Sequence, residues 1–330
     1  MGYPKRQLVK IVEEICKEDN IEYASFSDNY IIQLSKNGKN TMIYNYKFAN
    51  NDAAISKICD DKAGLSEVLK YNNIPHIPHL YFEDSSSPMV GKEGIWGTLT
   101  KMLKDNGKLV VKTNTGSGGT GVYKCENQKE LESAVFDILG RKHSLTISPF
   151  IDIENEYRTI IVDDKAMLVY AKQRPNVVGN GVDSLEKLIK DANFEDVEIS
   201  EKLDLKYVPK EKEKVTVSWK HNLGQGSLPV LVKDKKEIEK LTNFALKTAS
   251  ILGLKFASVD IVKDKEGIYR ILEINSGIMM ENFSRLSKEN YEMAKHIYRT
   301  AIYKNLNLEL KKNEEKTIYE NFNKSLAFKR

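Results

Sequence analysis

In "RQLVKIVEEICKEDN" (6–20), Leu8, Ile11, Val12 and Ile15 recur at three- and four-residue spacing, which predicts an amphipathic helix. The rhythm then changes. "YIIQLS" and "TMIYNY" flank the turn "KNGKN" and predict a β-hairpin. "AGLSEVLKYNN" (63–73) returns to helical spacing, whereas "IPHIPHLYF" is expected to be extended, because each proline pushes its predecessor out of the α region. This first stretch reads as a small α/β lobe. "GKLVVKTN" (107–114) and "GVYKCEN" read as strands on either side of a glycine-rich loop. "NQKELESAVFDIL" reads as a helix, with Asn127 as N-cap and Glu130 three residues on, the spacing of a capping box. "LTISPFI", "EYRTIIV", "AMLVYAKQ", "VTVSWKHN" and "LPVLVK" are predicted strands. "KEIEKLTNFALKTASILG" is a long amphipathic helix closed by Gly253. "FASVDIVKD" and "GIYRILEIN" pair through "KDKEG" as a hairpin, and a last helix runs from about Tyr291 to Lys304. The mixture predicts an α+β chain.

Composition narrows the classes. The 330 residues suffice for two or three lobes, and 51 basic against 47 acidic side chains leave a net charge of only +4. That balance argues against a dedicated nucleic-acid or membrane-surface protein, which carries a concentrated basic face. The lysine runs Lys233–Lys236 and Lys311–Lys316 are interspersed with acids or lie near a terminus, and read as solvated faces. No apolar run approaches the roughly 20 residues of a membrane helix. Cys16, Cys59 and Cys125 lack zinc or disulfide spacing, which fits a reducing cytoplasm.

The stretch "KTNTGSGGTG" (112–121) carries glycines at 116, 118, 119 and 121. A dinucleotide fold would need a helix directly after them, but "VYKC" continues as a strand. A P-loop would need Lys and Ser or Thr after Gly121, where Val122 and Tyr123 stand. What remains is a glycine hairpin with Lys112 on its entering strand. It suits either a lid over phosphates, with backbone N–H groups and an ammonium as donors, or a surface turn with no ligand. A second constellation separates the two. Asp260 lies on one strand of the last hairpin, and Glu273 and Asn275 share a face of the next. Val259, Ile261, Leu272 and Ile274 are expected to fill the opposite face and anchor the hairpin on a core. Two carboxylates and an amide oxygen are the hard donors that Mg2+ bound to nucleotide phosphates takes.

"VVKTNTGSGGTGV" together with "SVDIVKD…RILEIN" resembles the ATP-grasp superfamily of carboxylate–amine ligases. The likeness is nearest to the ATP-grasp half of bifunctional glutathione synthetases and to cyanophycin synthetase. It is more distant to D-alanine–D-alanine ligase and the ribosomal-protein glutamate ligases. It runs from about residue 7 to 300 and includes "FSDNYIIQLSKNGK", "ISKICDDKAGLSEVLKYNNIP", "EYRTIIVDDKAMLVYAKQRPNVVGNGVDSLEKLI" and "WKHNLGQGS". The resemblance implies an ATP-grasp fold with an antiparallel-sheet lid and core. Residues 1–60 would form a small N-terminal domain, 61–147 a central region with the lid, 148–305 the core, and 306–330 a polar, helix-prone tail.

Residue by residue, the resemblance makes Lys62 and Lys112 phosphate lysines, and Ser117, Gly118, Gly119 and Gly121 the lid loop. "ISPFI" would be the hinge that holds the adenine edge. Pro149 has no N–H, so Phe150 or Ile151 would donate. Glu156 matches a ribose-binding acid, and Asp260, Glu273 and Asn275 match the ligands of Mg2+, with Mn2+ as the alternative ion. In "WKHNLGQGS", Asn222 keeps the family's asparagine. Lys220 stands where Arg usually steadies an acyl phosphate, keeping the charge without the bidentate fork. Arg174 and Lys172 are candidates for substrate carboxylates, or plain charges at a strand end. The implied activity is ATP-dependent amide-bond formation through an acyl phosphate on small amino-acid or peptide substrates, in the cytoplasm, with room for a homodimer. Two other readings stand beside it: an ATP-binding regulatory module without turnover, and a dinucleotide oxidoreductase, which the strand after the glycines opposes.

Overall fold

The structure, a computed structural model, describes residues 5–83, 94–116, 121–142, 144–194 and 197–310. Helix α1 (Gln7–Asp19) precedes an antiparallel sheet whose strands follow in chain order, β1 (Glu22–Phe26), β2 (Ile31–Lys36), β3 (Lys39–Tyr44) and β4 (Lys47–Phe48). Helices α2 (Ala53–Asp60) and α3 (Lys62–Tyr71) lead into β5 (Leu80–Glu83), α4 (Gly94–Asn106), β6 (Leu109–Thr113), β7 (Val122–Cys125), α5 (Gln128–Leu139) and β8 (Ser144–Pro149). These strands form a second sheet in the order β5-β8-β6-β7, with a core of its own against α5. Next come β9 (Ile153–Val162), β10 (Lys165–Gln173), β11 (Asn176–Val178), α6 (Leu185–Asp191), β12 (Lys214–Thr216) and β13 (Leu228–Leu231). The described chain continues through α7 (Lys235–Leu252), β14 (Phe256–Asp264), β15 (Tyr269–Asn275), α8 (Glu281–Ser284) and α9 (Lys288–Asn305).

The central sheet, β13-β10-β9-β14-β15, is antiparallel at every pairing. Strand alternation explains how it makes a floor. On one face of β9, Ile160 and Val162 enter a core with α1, β2, β3 and α9. Glu156 and Arg158 continue that same face beyond the covering helices. On the opposite face, Tyr157 and Ile161 pack with Leu241, Ala245 and Ala249 of α7 and with Leu65 and Leu69 of α3. Each fully buried aliphatic side chain here contributes about 1.5–3 kcal/mol. The sheet is thus apolar on one side, apart from Thr159, and changes from apolar to charged halfway along the other.

The helix of α1, the β2–β3 hairpin, the long α7 with Gly253 in the left-handed region, and the β14–β15 hairpin all form as expected. Asn127 caps α5 by accepting from the Glu130 amide at 3.0 Å, and Glu130 accepts from the Glu126 amide at 2.6 Å. Two expectations fail. "VTVSWKHN" is not a full strand: only Lys214–Thr216 pairs, with β11, after which Val217 is pinned in a small core with Val177 and Leu185. Leu272 does not join the buried face of the last hairpin. The register runs Asp260 to Glu273 and then Ile261 to Ile271, so Leu272 is the extra residue of a β-bulge. Ile271 takes its place in the core, and Leu272 lines the cleft. Among the described residues no helix is long and apolar enough to cross a membrane, and the three cysteines are free and buried.

Candidate active site

A cleft of about 610 Å³ opens between the three sheets. Its floor is the charged half of the central sheet. Arg158 on β9, Asp260 on β14 and Glu273 on β15 are cross-strand partners and form one row. Asn275 pairs with Ser258 in the next position along β15, on the same face as Glu273. Arg158 grips Asp260 with both prongs, Nε to Oδ1 at 2.7 Å and Nη2 to Oδ2 at 2.8 Å. Lys172 Nζ adds a third bond to Oδ2 at 2.8 Å and donates to Glu156 Oε1 at 2.5 Å. Burial pushes the Asp260 carboxyl up, but the charges of Arg158 and Lys172 outweigh it and hold the pKa down at about 2. Lys172 and Glu156, expected to face different ligands, are thereby partners of one another.

The opposite wall brings the two expected lysines together. Lys62 begins α3, where Asp61 caps the helix by accepting from the Gly64 amide at 2.8 Å. Its ammonium donates to the Gly116 carbonyl at 2.9 Å and lies 3.7 Å from Glu273 Oε1. Asn114 ties helix and loop together, accepting from the Ala63 amide at 3.1 Å and donating to Asp61 at 3.0 Å. Lys112 on β6 is buried, and its ammonium makes no hydrogen bond or ion pair among the described residues. Burial, helped by the nearby Lys62 charge and opposed by Glu273 and Glu156, pulls its ammonium down to about 8. Gly116 and Gly121 both have positive φ, +149° and +68°. Ser117, Gly118 and Gly119 lie outside the described residues.

At the hinge, the Phe150 amide donates to the Lys108 carbonyl at 3.0 Å, while the Ile151 amide has no partner among the described residues. Of the two amides expected at the adenine edge, that of Phe150 is thus already engaged within the protein. The Phe150 ring instead sits under the Lys124 ammonium at 4.6 Å and edge-on to Trp219. Arg174 lines the cleft and donates to the Ile153 carbonyl at 3.2 Å. Lys220 also lines it, but its ammonium is 2.7 Å from Glu198. Asn222 caps the following turn by accepting from the Gly224 amide at 2.8 Å. Among the described residues no group of three His, Cys, Asp or Glu forms a metal cage. The candidate donor set is two acids and one amide, a set of hard oxygens suited to a magnesium ion that brings phosphates and water as its remaining ligands.

Sequence reasoning missed four contributors. Arg158 was visible as the residue two past Glu156 on the same strand face, but its partner is 102 positions away. Tyr30 and Tyr44, packed edge to face at 5.0 Å, bring the N-terminal sheet to the cleft. Lys47 pairs with Asp60 at 2.7 Å and donates to Ser276 at 3.0 Å, joining that sheet to the segment after Asn275.

This arrangement is the ATP-grasp fold. The chain is similar in structure to a bifunctional glutathione synthetase from Pasteurella multocida, with a TM-score of 0.54 and 14% identity, covering 88% of this chain and 43% of that one. It is similar also to D-alanine–D-alanine ligase from Bacillus anthracis, with a TM-score of 0.50 and 17% identity over 76% and 70% of the two chains. In sequence it is 23% identical over 291 residues to the glutathione biosynthesis bifunctional protein of Clostridium perfringens, over 78% of this chain and 35% of that protein. It is 26% identical over 179 residues to a probable alpha-L-glutamate ligase of Vibrio atlanticus, over 54% of this chain and 45% of the relative. The chain thus spans less than half the length of these two curated relatives. No family model matches it.

Proposed function

We propose that the chain is an ATP-dependent carboxylate–amine ligase that forms an amide bond through an acyl phosphate and releases ADP and phosphate. The observation that carries this reading is the cleft itself: the buried Lys62 and Lys112 and the acids Glu156, Asp260 and Glu273 line one space of about 610 Å³, large enough for a nucleotide and a small substrate. Named similarity to glutathione-forming, D-alanine-joining and glutamate ligases supports carbon–nitrogen bond formation on small amino-acid or peptide substrates.

In this reading Lys112 and Lys62 bind the nucleotide phosphates as point charges, and phosphate oxygens give the buried Lys112 ammonium the partners that lost water no longer supplies. Ile151 presents its amide to the base. Glu273, Asn275 and the remaining lone pairs of Asp260 would hold Mg2+, which when bound screens phosphate charge. Arg174 orients the substrate carboxylate, whose oxygen attacks the γ-phosphorus as the bond to ADP breaks. The amine then attacks the acyl carbon, and phosphate leaves with the C–O electron pair. No side-chain nucleophile is needed; the chain supplies position and charge. Lys220 and Asn222 sit beside this end of the cleft, with Lys220 available to an acyl phosphate once it leaves Glu198.

The test is ADP and phosphate release by the purified chain with Mg2+, ATP and pooled amino acids, followed by mass spectrometry of the products. ATP binding with no release dependent on two substrates would favour the regulatory module. Glu273→Gln is expected to abolish turnover with the fold intact; near-normal turnover would remove Glu273 from the site.

A further inference from the structure

We infer that Arg158 is a positioning residue that keeps Asp260 neutralised, so that the divalent-cation site becomes attractive only when nucleotide phosphates arrive. The inference rests on the ligase reading above. Its ground is the pattern of charge around the row. Asp260 is nearly inaccessible, and both its oxygens are taken, three bonds in all from Arg158 and Lys172. Lys172 is shared with Glu156, so these four side chains sum to zero charge. Glu273 is neutralised in turn by Lys62 at 3.7 Å, and Lys112 adds a cation with no acid of its own. The metal end of the cleft therefore holds four cations against three anions. A bare divalent ion entering it meets net positive charge, whereas the same ion carried on a polyphosphate brings its own compensation.

Arg158 is the member whose removal should break this gating most directly. It sits opposite Asp260 in the β9–β14 register, and its fork fixes both the charge and the orientation of the carboxylate. Removing the guanidinium frees the Asp260 Oδ1 lone pairs and brings the metal end from four cations against three anions to an even balance, with Asp260 sharing only Lys172 with Glu156.

The experiment titrates Mn2+ into nucleotide-free protein and follows free Mn2+ by electron paramagnetic resonance. Arg158→Gln is expected to take up Mn2+ about tenfold or more tightly than the wild type, since a divalent ion gains twice the Coulomb energy of the removed unit charge. Arg158→Lys, which keeps the charge, should bind as weakly as the wild type. Adding Asp260→Asn to Arg158→Gln should abolish the gain. Equal affinity in wild type and Arg158→Gln overturns the inference, as does a gain that survives Asp260→Asn. Should Arg158→Gln fail to fold by circular dichroism, the wild type still decides: Mn2+ bound as tightly by the nucleotide-free protein as by the protein with ATP refutes the gating. A wild type that binds no ATP overturns the ligase reading together with this inference, whereas one that binds ATP and takes up bare Mn2+ as tightly as Arg158→Gln overturns the inference alone.

Discussion

Lys112→Met is expected to make the nucleotide-free protein more stable and to impair the function. The lysine is buried on β6, and its ammonium lacks an acidic partner of its own. Its pKa falls from 10.5 to about 8, chiefly by loss of hydration. At about 1.4 kcal/mol per pH unit, that fall makes the charged lysine cost the fold about 3 kcal/mol. The sign follows from linkage. Below pH 8 both folded and unfolded chains carry the proton, and the whole penalty is present. Between about 8 and 10.5 the unfolded chain holds more protons than the folded one, so stability from this group rises with pH. Methionine keeps the length of the stem without the charge. Urea unfolding at pH 7 should therefore show Lys112→Met more stable by up to about 3 kcal/mol, with the gap closing as pH approaches 10.5. ATP should stabilise the wild type and protect the variant much less. A variant no more stable than wild type at pH 7, or a gap that does not change with pH, would refute the account of Lys112 as a strained charge held ready for phosphate.

Two further variants probe the floor and its surroundings. Asp260→Asn leaves Arg158 and Lys172 with Glu156 as their only acid and should cost about 3–5 kcal/mol in urea unfolding at pH 7, because uncompensated buried charge remains. Gly179→Ala should destabilise by about 2 kcal/mol or more, since an added Cβ would lie 2.2 Å from the Lys210 carbonyl oxygen. Thermal unfolding and proteolysis around residues 176–216 would report it, and a neutral result would mean the Pro209–Lys210 turn can move aside.

Alternation along strands made much of the cleft legible beforehand. Glu273 and Asn275 had to share a face, and Lys112 had to lie on a strand entering the glycines; all three line one cleft. Helix α2 was also within reach, since Asp52 caps it by accepting from the Ile55 amide at 2.8 Å, but the apolar pattern before Cys59 is too short to declare itself. What depends on distant register was hidden. Leu272 changes face because β15 carries one more residue than β14 at that point, and no local property of "YRILEIN" marks the bulge. Phe150 loses its amide to Lys108, a residue 42 positions earlier across the lid sheet. Lys220 finds Glu198 only through the fold of the segment around β12.

The same limitation explains why Asp260 read as a simple metal ligand. In one dimension it is an acid among apolar neighbours on a hairpin. In three it stands between two strands, β9 supplying Arg158 and β15 supplying Glu273. An acid placed there without Arg158 would meet Glu273 across the strand with like charge repelling like, a pairing that destabilises a sheet. The arginine therefore stabilises the empty floor, and the charge that does so is the one a bare cation must compete with. Stability of the unliganded sheet and selectivity for a phosphate-borne metal are two consequences of a single cross-strand pair, which is why the Mn2+ titration and the unfolding of Asp260→Asn should respond to the same four side chains.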